Sequence, residues 1–362
     1  MKPRGDIETT LESESQALEI RLDLPYQNQV TGPLQKHLWL PEKRMKLLRR
    51  RERLVTERAE QTELEDRSHP QGVRFQWSCI ARQPVPVDYD LQVHAECEFG
   101  ENIYLTGLTE PHAELVNLRV GTYYSWQVIA RLRDQVISQS KIGRFFTNPT
   151  PPRWILVPGI TNVRDLGGWP LPGGRRVRQG MIFRGSEMNS HCVLTAEGHK
   201  VLVEDLAVRT DLDLRGQGEE RLPALDPARV KYVNLPLASY DMIAHPEYVA
   251  RFRELFALLA ARSTYPAFIH CWGGADRTGT VAFLLGALLG MRTEDLFTDY
   301  ELTSLSIWGD RLAGSDAFQD LLRTLEVFAK KGSSLQSQVE RYLRFIGVTE
   351  GEIVEIREMM TE

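Results

Sequence analysis

Cys271 and Arg277 stand six positions apart in His270-Cys271-Trp272-Gly273-Gly274-Ala275-Asp276-Arg277-Thr278-Gly279, and this run concentrates the reactive residue types of the chain. A cysteine attacks as its thiolate, and an arginine grips two oxygens of an oxyanion with its planar fork. Before the run, Pro266-Ala267-Phe268-Ile269 is short and apolar, suited to a buried strand. After it, the chain from Val281 to Leu289 is apolar on nearly every side, the pattern of a buried helix. A loop entering a helix presents unpaired backbone N–H groups and the positive end of the helix dipole, which draw in an anion and favour the Cys271 thiolate. Gly273 and Gly274 let the backbone of Trp272 through Ala275 close round that anion, with Thr278 and Gly279 completing the cradle at the helix start. The Thr278 hydroxyl is placed to donate to the sulfur. His270 is expected to fix the nucleophile's backbone rather than to act as a base. The chemistry these residues suit is in-line attack by sulfur on a bound phosphoryl group, with no metal or cofactor required.

The elements around the run must aim it. Val208 to Arg215 is expected to form a buried strand whose C-terminal end carries Asp213 and Arg215, where ligand sites of α/β sheets lie. A strand from Tyr232 to Pro236 leads into the loop Ser239-Tyr240-Asp241-Met242, and a helix over 247–261 returns to the signature strand. Earlier stand Thr161-Asn162-Val163-Arg164-Asp165-Leu166-Gly167-Gly168 and a glycine-basic turn ending at Arg184. Arg164, Asp165 and Arg184 are candidates to line the pocket, the alternative for the arginines being ion pairs with Asp165 or Glu187. Beyond Gly290 the pattern is helical, around 299–302, 317–328 and 335–345, with a last helix opened by the capping box Thr349-Glu350-Gly351-Glu352.

Upstream the pattern changes to alternation. Leu18, Ile20, Leu22 and Leu24 alternate with charged residues, as do Val73, Phe75, Trp77 and Cys79 with polar ones, and Tyr89, Leu91 and Val93 mark a third strand. Residues 1–16 read as a flexible polar tail. From Pro41 to about Gln61 the chain is helical and charge-dense, with basic residues over a narrow leucine stripe. A solvated face explains it more simply than membrane binding. Pro149-Thr150-Pro151-Pro152 is a stiff boundary.

The 362 residues leave room for two or three domains, and a net charge of −5 argues against a general nucleic-acid binder. No apolar run is long enough to span a bilayer, no signal pattern opens the chain, and no metal-ligand cluster stands out. Cys79, Cys97, Cys192 and Cys271 show no CxxC spacing, which suits a reducing, cytoplasmic setting.

Cys-x5-Arg followed by Thr-Gly is similar to the signature loop of the cysteine-dependent protein tyrosine phosphatases. His-Cys-x-x-Gly-x-Asp-Arg-Thr-Gly more narrowly resembles the bacterial tyrosine phosphatases that also act on lipids and phosphoinositides. The Asn-x-Arg-Asp-Leu-Gly-Gly block and Ile346-Gly347-Val348-Thr349 fit the same family. The resemblance implies an α/β catalytic domain over 153–362, with a central sheet flanked by helices and a helical C-terminal part. The run from Leu118 through Gly121-Thr122 to Tyr123-Tyr124 looks like the tyrosine corner of immunoglobulin-like sandwiches. Residues 17–148 thus resemble an all-β fibronectin type III domain of unknown ligand, with a helical insertion at about 33–68. The implied activity is hydrolysis of a phosphorylated protein or small phosphate ester through a cysteinyl-phosphate. The alternatives are a phosphoinositide phosphatase, a sulfurtransferase and a phosphosite-binding pseudoenzyme. Two carboxylates compete as general acid: Asp241, in a loop thirty residues before Cys271, and Asp276, inside the signature loop and favoured because it is tethered at the phosphate. Lipid-active relatives commonly carry lysine where this chain has Ala275, so monophosphorylated substrates are expected, phosphotyrosine first.

Overall fold

The computed structural model describes residues 18–23, 25, 66–80, 86–98, 100–216, 219 and 222–362. The expected tail and the basic helix over 41–61 lie outside them, as does most of the insertion placed at 33–68. The chain divides into two compact units, one of Met1–Val30 and Gln71–Pro149, the other of Thr31–Pro70 and Thr150–Glu362. Residues 66–68 therefore correct the expected domain plan: they belong with the second unit, not with the β-rich one.

The first unit is built from strands whose residues alternate between core and solvent. β1 (Glu19–Leu22), β2 (Val73–Ile80) and β5 (His112–Leu115) form one antiparallel sheet. β3 (Asp88–Ala95), β4 (Asn102–Leu108), β6 (Tyr123–Leu132), β7 (Gln135–Gln139) and β8 (Gly143–Phe146) form the other. In β2 the side chains of Val73, Phe75 and Trp77 are buried while Arg74, Gln76 and Ser78 are exposed, as the period of two demands. Phe75 and Trp77 meet Leu91, Val93, Trp126 and Val128 in one core, where the Phe75 and Trp126 rings pack edge-on at 5.1 Å. The backbone N–H of Arg119 donates to the Tyr124 hydroxyl at 2.8 Å, pinning the corner that enters β6.

The second unit carries a five-stranded sheet of β9 (Arg164–Asp165), β10 (Ile182–Gly185), β11 (Thr210–Asp213), β12 (Lys231–Asn234) and β13 (Ala267–His270), in the order β12-β11-β13-β10-β9. Its four longer strands run parallel, β9 alone being antiparallel to β10. Gly185, Asp213 and His270 share one register at the C-terminal edge. β13 is central and fully buried, so its sequence is apolar without alternation.

Seven helices accompany the sheet among the described residues: α1 (Ala196–Lys200), α2 (Pro246–Leu259), α3 (Arg277–Leu289), α4 (Thr293–Glu301), α5 (Asp316–Glu326), α6 (Leu335–Phe345) and α7 (Glu350–Met360). Every α3 residue from Thr278 to Leu289 is buried, which explains its all-round apolar sequence. Gly290 ends α3 with φ of 90°, a left-handed cap natural to glycine. Thr349 and Glu352 form both bonds of the expected capping box.

Candidate active site

Cys271 follows β13 directly and is 2% exposed. The loop that leaves it is tied back by its carbonyls. Glu187 N–H donates to Trp272 O at 2.9 Å, Asn162 Nδ2 donates to Gly273 O at 2.9 Å, and Arg184 Nη2 donates to Gly274 O at 2.6 Å. Each carbonyl lies trans to the N–H of the next residue, so the amides of Gly273, Gly274 and Ala275 point away from those donors. Gly274 is required as well as permissive: its φ is 65°, and a Cβ there would lie 2.2 Å from Gly185 O. A Cβ on Gly273 would fall 2.6 Å from the Trp308 ring.

Beneath the loop lies a charge cluster. Arg164 Nε and Arg184 Nη1 meet the two carboxylate oxygens of Asp299 at 2.8 and 2.7 Å, both arginine side chains being wholly buried. Burial works against the charge on Asp299, but Arg164 and then Arg184 outweigh it and hold its carboxyl below the usual range. Burial, with Arg164 alongside, brings Arg184 down to about 10. The expectation that Arg164 and Arg184 line the pocket, or pair with Asp165 or Glu187, is corrected: they pair with Asp299 and support the loop from below. Asp299→Asn should cost about 3–5 kcal/mol, because two buried guanidiniums lose their counter-charge. The lowered carboxyl also fixes the pH direction. This stabilisation is complete above the carboxylate's ordinary pKa of ~4 and disappears as pH falls through the lower folded value, so the stability difference between wild type and variant should shrink as pH falls.

Asp213, Arg215 and Tyr232 at the sheet edge bind one another. Arg215 Nε and Nη2 bind Asp213 at 3.0 and 2.9 Å, and Tyr232 donates to the same carboxylate at 2.8 Å. Both Asp213 and Arg215 are almost fully buried, and they pair with each other. Asp165 accepts the N–H groups of Gly167 at 2.7 Å and Gly180 at 2.6 Å, a turn-forming role. His270 Nδ1 lies 3.3 Å from Cys271 O and Nε2 lies 3.0 Å from Asp211, in keeping with a role in fixing the backbone. Burial opposes protonation of His270, while Asp211 outweighs it and moves its pKa upward.

At the helix start Arg277 pairs end-on with Glu219, Nη1 and Nη2 at 2.8 and 2.9 Å. This leaves Nε and the side edge of the fork for an oxyanion. Asp276 occupies the cap position of α3 without capping it. Its carboxylate instead takes Arg311 Nε at 2.7 Å and Nη2 at 3.0 Å, together with the Tyr240 hydroxyl, which also meets Tyr300 OH at 2.7 Å. Burial raises the Asp276 pKa, but the Arg311 bonds and charge outweigh it and leave the carboxyl below its ordinary value. Thr278 Oγ1 is buried with no hydrogen-bond partner among the described residues. Asp241 is exposed, and its neighbour Tyr240 is the residue that reaches the loop.

An aromatic edge borders the loop. The His191 ring lies 4.3 Å from that of Trp272 and 6.3 Å from that of Trp308. Ile307 and Val193, each next to or near these rings in sequence, are exposed at 39% and 66%. Glu219, Tyr240, Asp299, Arg311, Asn162 and Trp308 were not singled out as site residues by sequence. Only Asn162, inside the Asn-x-Arg-Asp-Leu-Gly-Gly block, carried a local signal; the others reach the loop through long-range packing.

Residues 155–362 match the model of the tyrosine phosphatase family. A Cupriavidus necator protein named by inference as a tyrosine-protein phosphatase is 30% identical over 166 residues, which cover 39% of this chain and 59% of that one. The match thus spans about three fifths of the curated relative's length. Among solved structures, the core catalytic domain of the PP-IP phosphatase SIW14 from S. cerevisiae, in complex with citrate, is 18% identical over 44% of this chain and 80% of its own, with a TM-score of 0.28. A myokine structure is 16% identical over 24% of this chain and 90% of its own, with a TM-score of 0.19.

Proposed function

Because the chain belongs to the tyrosine phosphatase family, we propose that it hydrolyses phosphate monoesters through a phosphorylated Cys271, with phosphotyrosine as the preferred substrate. The observation that carries the reading is the loop itself. Its carbonyls are tied back, which supports amides turned toward an incoming anion, with a buried cysteine at one end and a guanidinium fork at the other.

In the first step the Cys271 sulfur attacks phosphorus and the P–O ester bond breaks. The loop amides and the free edge of Arg277 hold the non-bridging oxygens, and Asp276 gives its proton to the departing oxygen. In the second step Asp276 takes a proton from water as the water oxygen attacks phosphorus. The S–P bond breaks, releasing phosphate and regenerating the thiolate, which Thr278 stabilises by donating its orphaned hydroxyl. Glu219 holds Arg277 by the far end of its fork. Glu219→Gln should therefore lower kcat/KM for p-nitrophenyl phosphate about tenfold, the worth of one charge-assisted contact of roughly 1.5 kcal/mol. A rise in activity would mean that Glu219 competes with phosphate instead.

The aromatic edge of His191, Trp272 and Trp308 supports an aryl leaving group. Ala275 adds no cation, and the nearby Arg311 is already engaged with Asp276. A panel of phosphotyrosine peptides, phosphoserine peptides and phosphoinositides, with Cys271→Ser as blank, tests the preference. Faster turnover of a bis- or trisphosphorylated inositide would reverse it.

The first unit is read as a fibronectin type III-like domain, on the strength of its two antiparallel sheets and the Arg119–Tyr124 corner. Among the described residues no helix is long and apolar enough to cross a membrane. The cysteine spacing, with no CxxC pair, fits a reducing cytoplasm.

A further inference from the structure

We propose that Asp66–Ser68, which precede most of the β-rich unit in sequence, are a positioning strap of the phosphate loop, acting through Asn162. Ser68 is 2% exposed. Its hydroxyl donates to Asp66 Oδ1 at 2.5 Å, which leaves its lone pairs to accept the Asn162 N–H at 2.8 Å. The other oxygen of Asp66 accepts the Thr161 hydroxyl at 2.6 Å. Arg67 N–H donates to Leu305 O at 2.8 Å, tying the same segment to the turn that follows α4.

Asn162 needs such support. Its φ is 59°, a left-handed conformation that costs energy in any residue but glycine and is tolerated best by asparagine and aspartate. Its side chain works on both sides: Oδ1 accepts Arg164 Nη1 at 2.6 Å, and Nδ2 donates to Gly273 O at 2.9 Å. The latter bond turns the Gly274 amide toward the anion cradle. The chain of contacts therefore runs from Asp66 to Ser68, to the strained Asn162 backbone, to a carbonyl of the phosphate loop. Without Ser68 the Asn162 N–H is buried with no acceptor, and relaxing φ swings Nδ2 off Gly273. An upstream segment thereby becomes part of the catalytic unit's support, consistent with residues 66–70 grouping with that unit.

The inference borrows only its kinetic readout from the phosphatase reading, so the test also measures binding. In the full chain, Ser68→Ala, Asn162→Ala and the double variant are compared for affinity toward inorganic phosphate by calorimetry, for kcat/KM on p-nitrophenyl phosphate, and for Tm. Ser68→Ala is expected to weaken phosphate about tenfold and to lower kcat/KM by at least as much. The double variant should be no worse than Asn162→Ala alone, because the two act in series. Asp66→Asn, which keeps the Ser68 oxygen, should lose about threefold and serves if Ser68→Ala does not fold. A lower Tm with wild-type phosphate affinity would show a merely structural strap and overturn the proposal, as would losses that multiply in the double variant. Wild-type protein that binds phosphate, loses that binding in Ser68→Ala, yet turns over no ester would refute the phosphatase reading and leave the strap standing.

Discussion

Cys271→Ser is expected to abolish turnover of an aryl phosphate, by at least about 10⁴-fold, and Arg277→Ala by about 10³-fold or more. The two losses arise differently. Serine is poorly ionised at neutral pH and leaves an ester that the loop is not built to hydrolyse. Alanine at 277 removes the fork that holds two phosphoryl oxygens, and it frees Glu219 to place a carboxylate beside the incoming dianion. Folding should survive both changes. Cys271 packs within the hydrophobic core, but serine is nearly isosteric with it. Arg277 is partly exposed, and an ion pair there contributes at most about 1 kcal/mol. Steady-state kinetics alongside thermal unfolding measures each half of the expectation, and residual turnover in Cys271→Ser above about 1% of wild type would contradict covalent catalysis.

Asp276→Asn is expected to slow an ester with a poor leaving group, such as phenyl phosphate, by about 10²–10³-fold, and one with a good leaving group far less. Only the poor leaving group needs the proton. Asp241→Asn should change neither by more than about twofold, since Asp241 is exposed and it is the neighbouring Tyr240 whose hydroxyl binds Asp276. The pH dependence follows from Arg311. Beside that guanidinium, with the Tyr240 hydroxyl and Arg277 also at hand, the Asp276 carboxyl sits below its ordinary pKa and is ionised in the free enzyme at neutral pH. A general acid must be protonated, so kcat/KM for the poor-leaving-group ester should fall as pH rises through that value. A bound phosphoryl dianion pushes the carboxyl back toward its protonated form. Arg311→Ala removes the main lowering influence and should move the falling limb to higher pH, whereas Asp276→Asn should remove the limb. If Asp241→Asn alone shows the selective loss, the acid is Asp241.

Sequence could locate the nucleophile and the fork because both lie on ten contiguous residues whose flanks betray a buried strand and a buried helix. The strands were legible for the same reason: β13 is an apolar run that ends in a histidine, and β2 alternates from Val73 to Ser78. The roles of Arg164 and Arg184 were not legible. An arginine near a site in sequence space looks the same whether it faces the ligand or the underside of the loop. What decides between them is Asp299, 115 residues beyond Arg184 and brought beneath the loop by α4. Asp213 and Arg215 pose the same question, because a buried pair and a ligand-facing pair share one pattern. Glu219 and Arg311 lie on irregular segments with no periodicity to read, and they act on the loop through the tertiary fold. The strap at 66–68 is the clearest case. Its three residues have no motif, and their sequence neighbourhood points to the wrong unit.

The covalent step is the centre of the account, and it can be observed directly. Full-length protein mixed with excess p-nitrophenyl phosphate is quenched within milliseconds, digested and examined by mass spectrometry. The peptide containing Cys271 should carry one phosphoryl group, with the adduct enriched in Asp276→Asn, where hydrolysis by water is slowed, and missing in Cys271→Ser. Undiminished turnover with the Cys271 peptide unmodified at every quench time would contradict it.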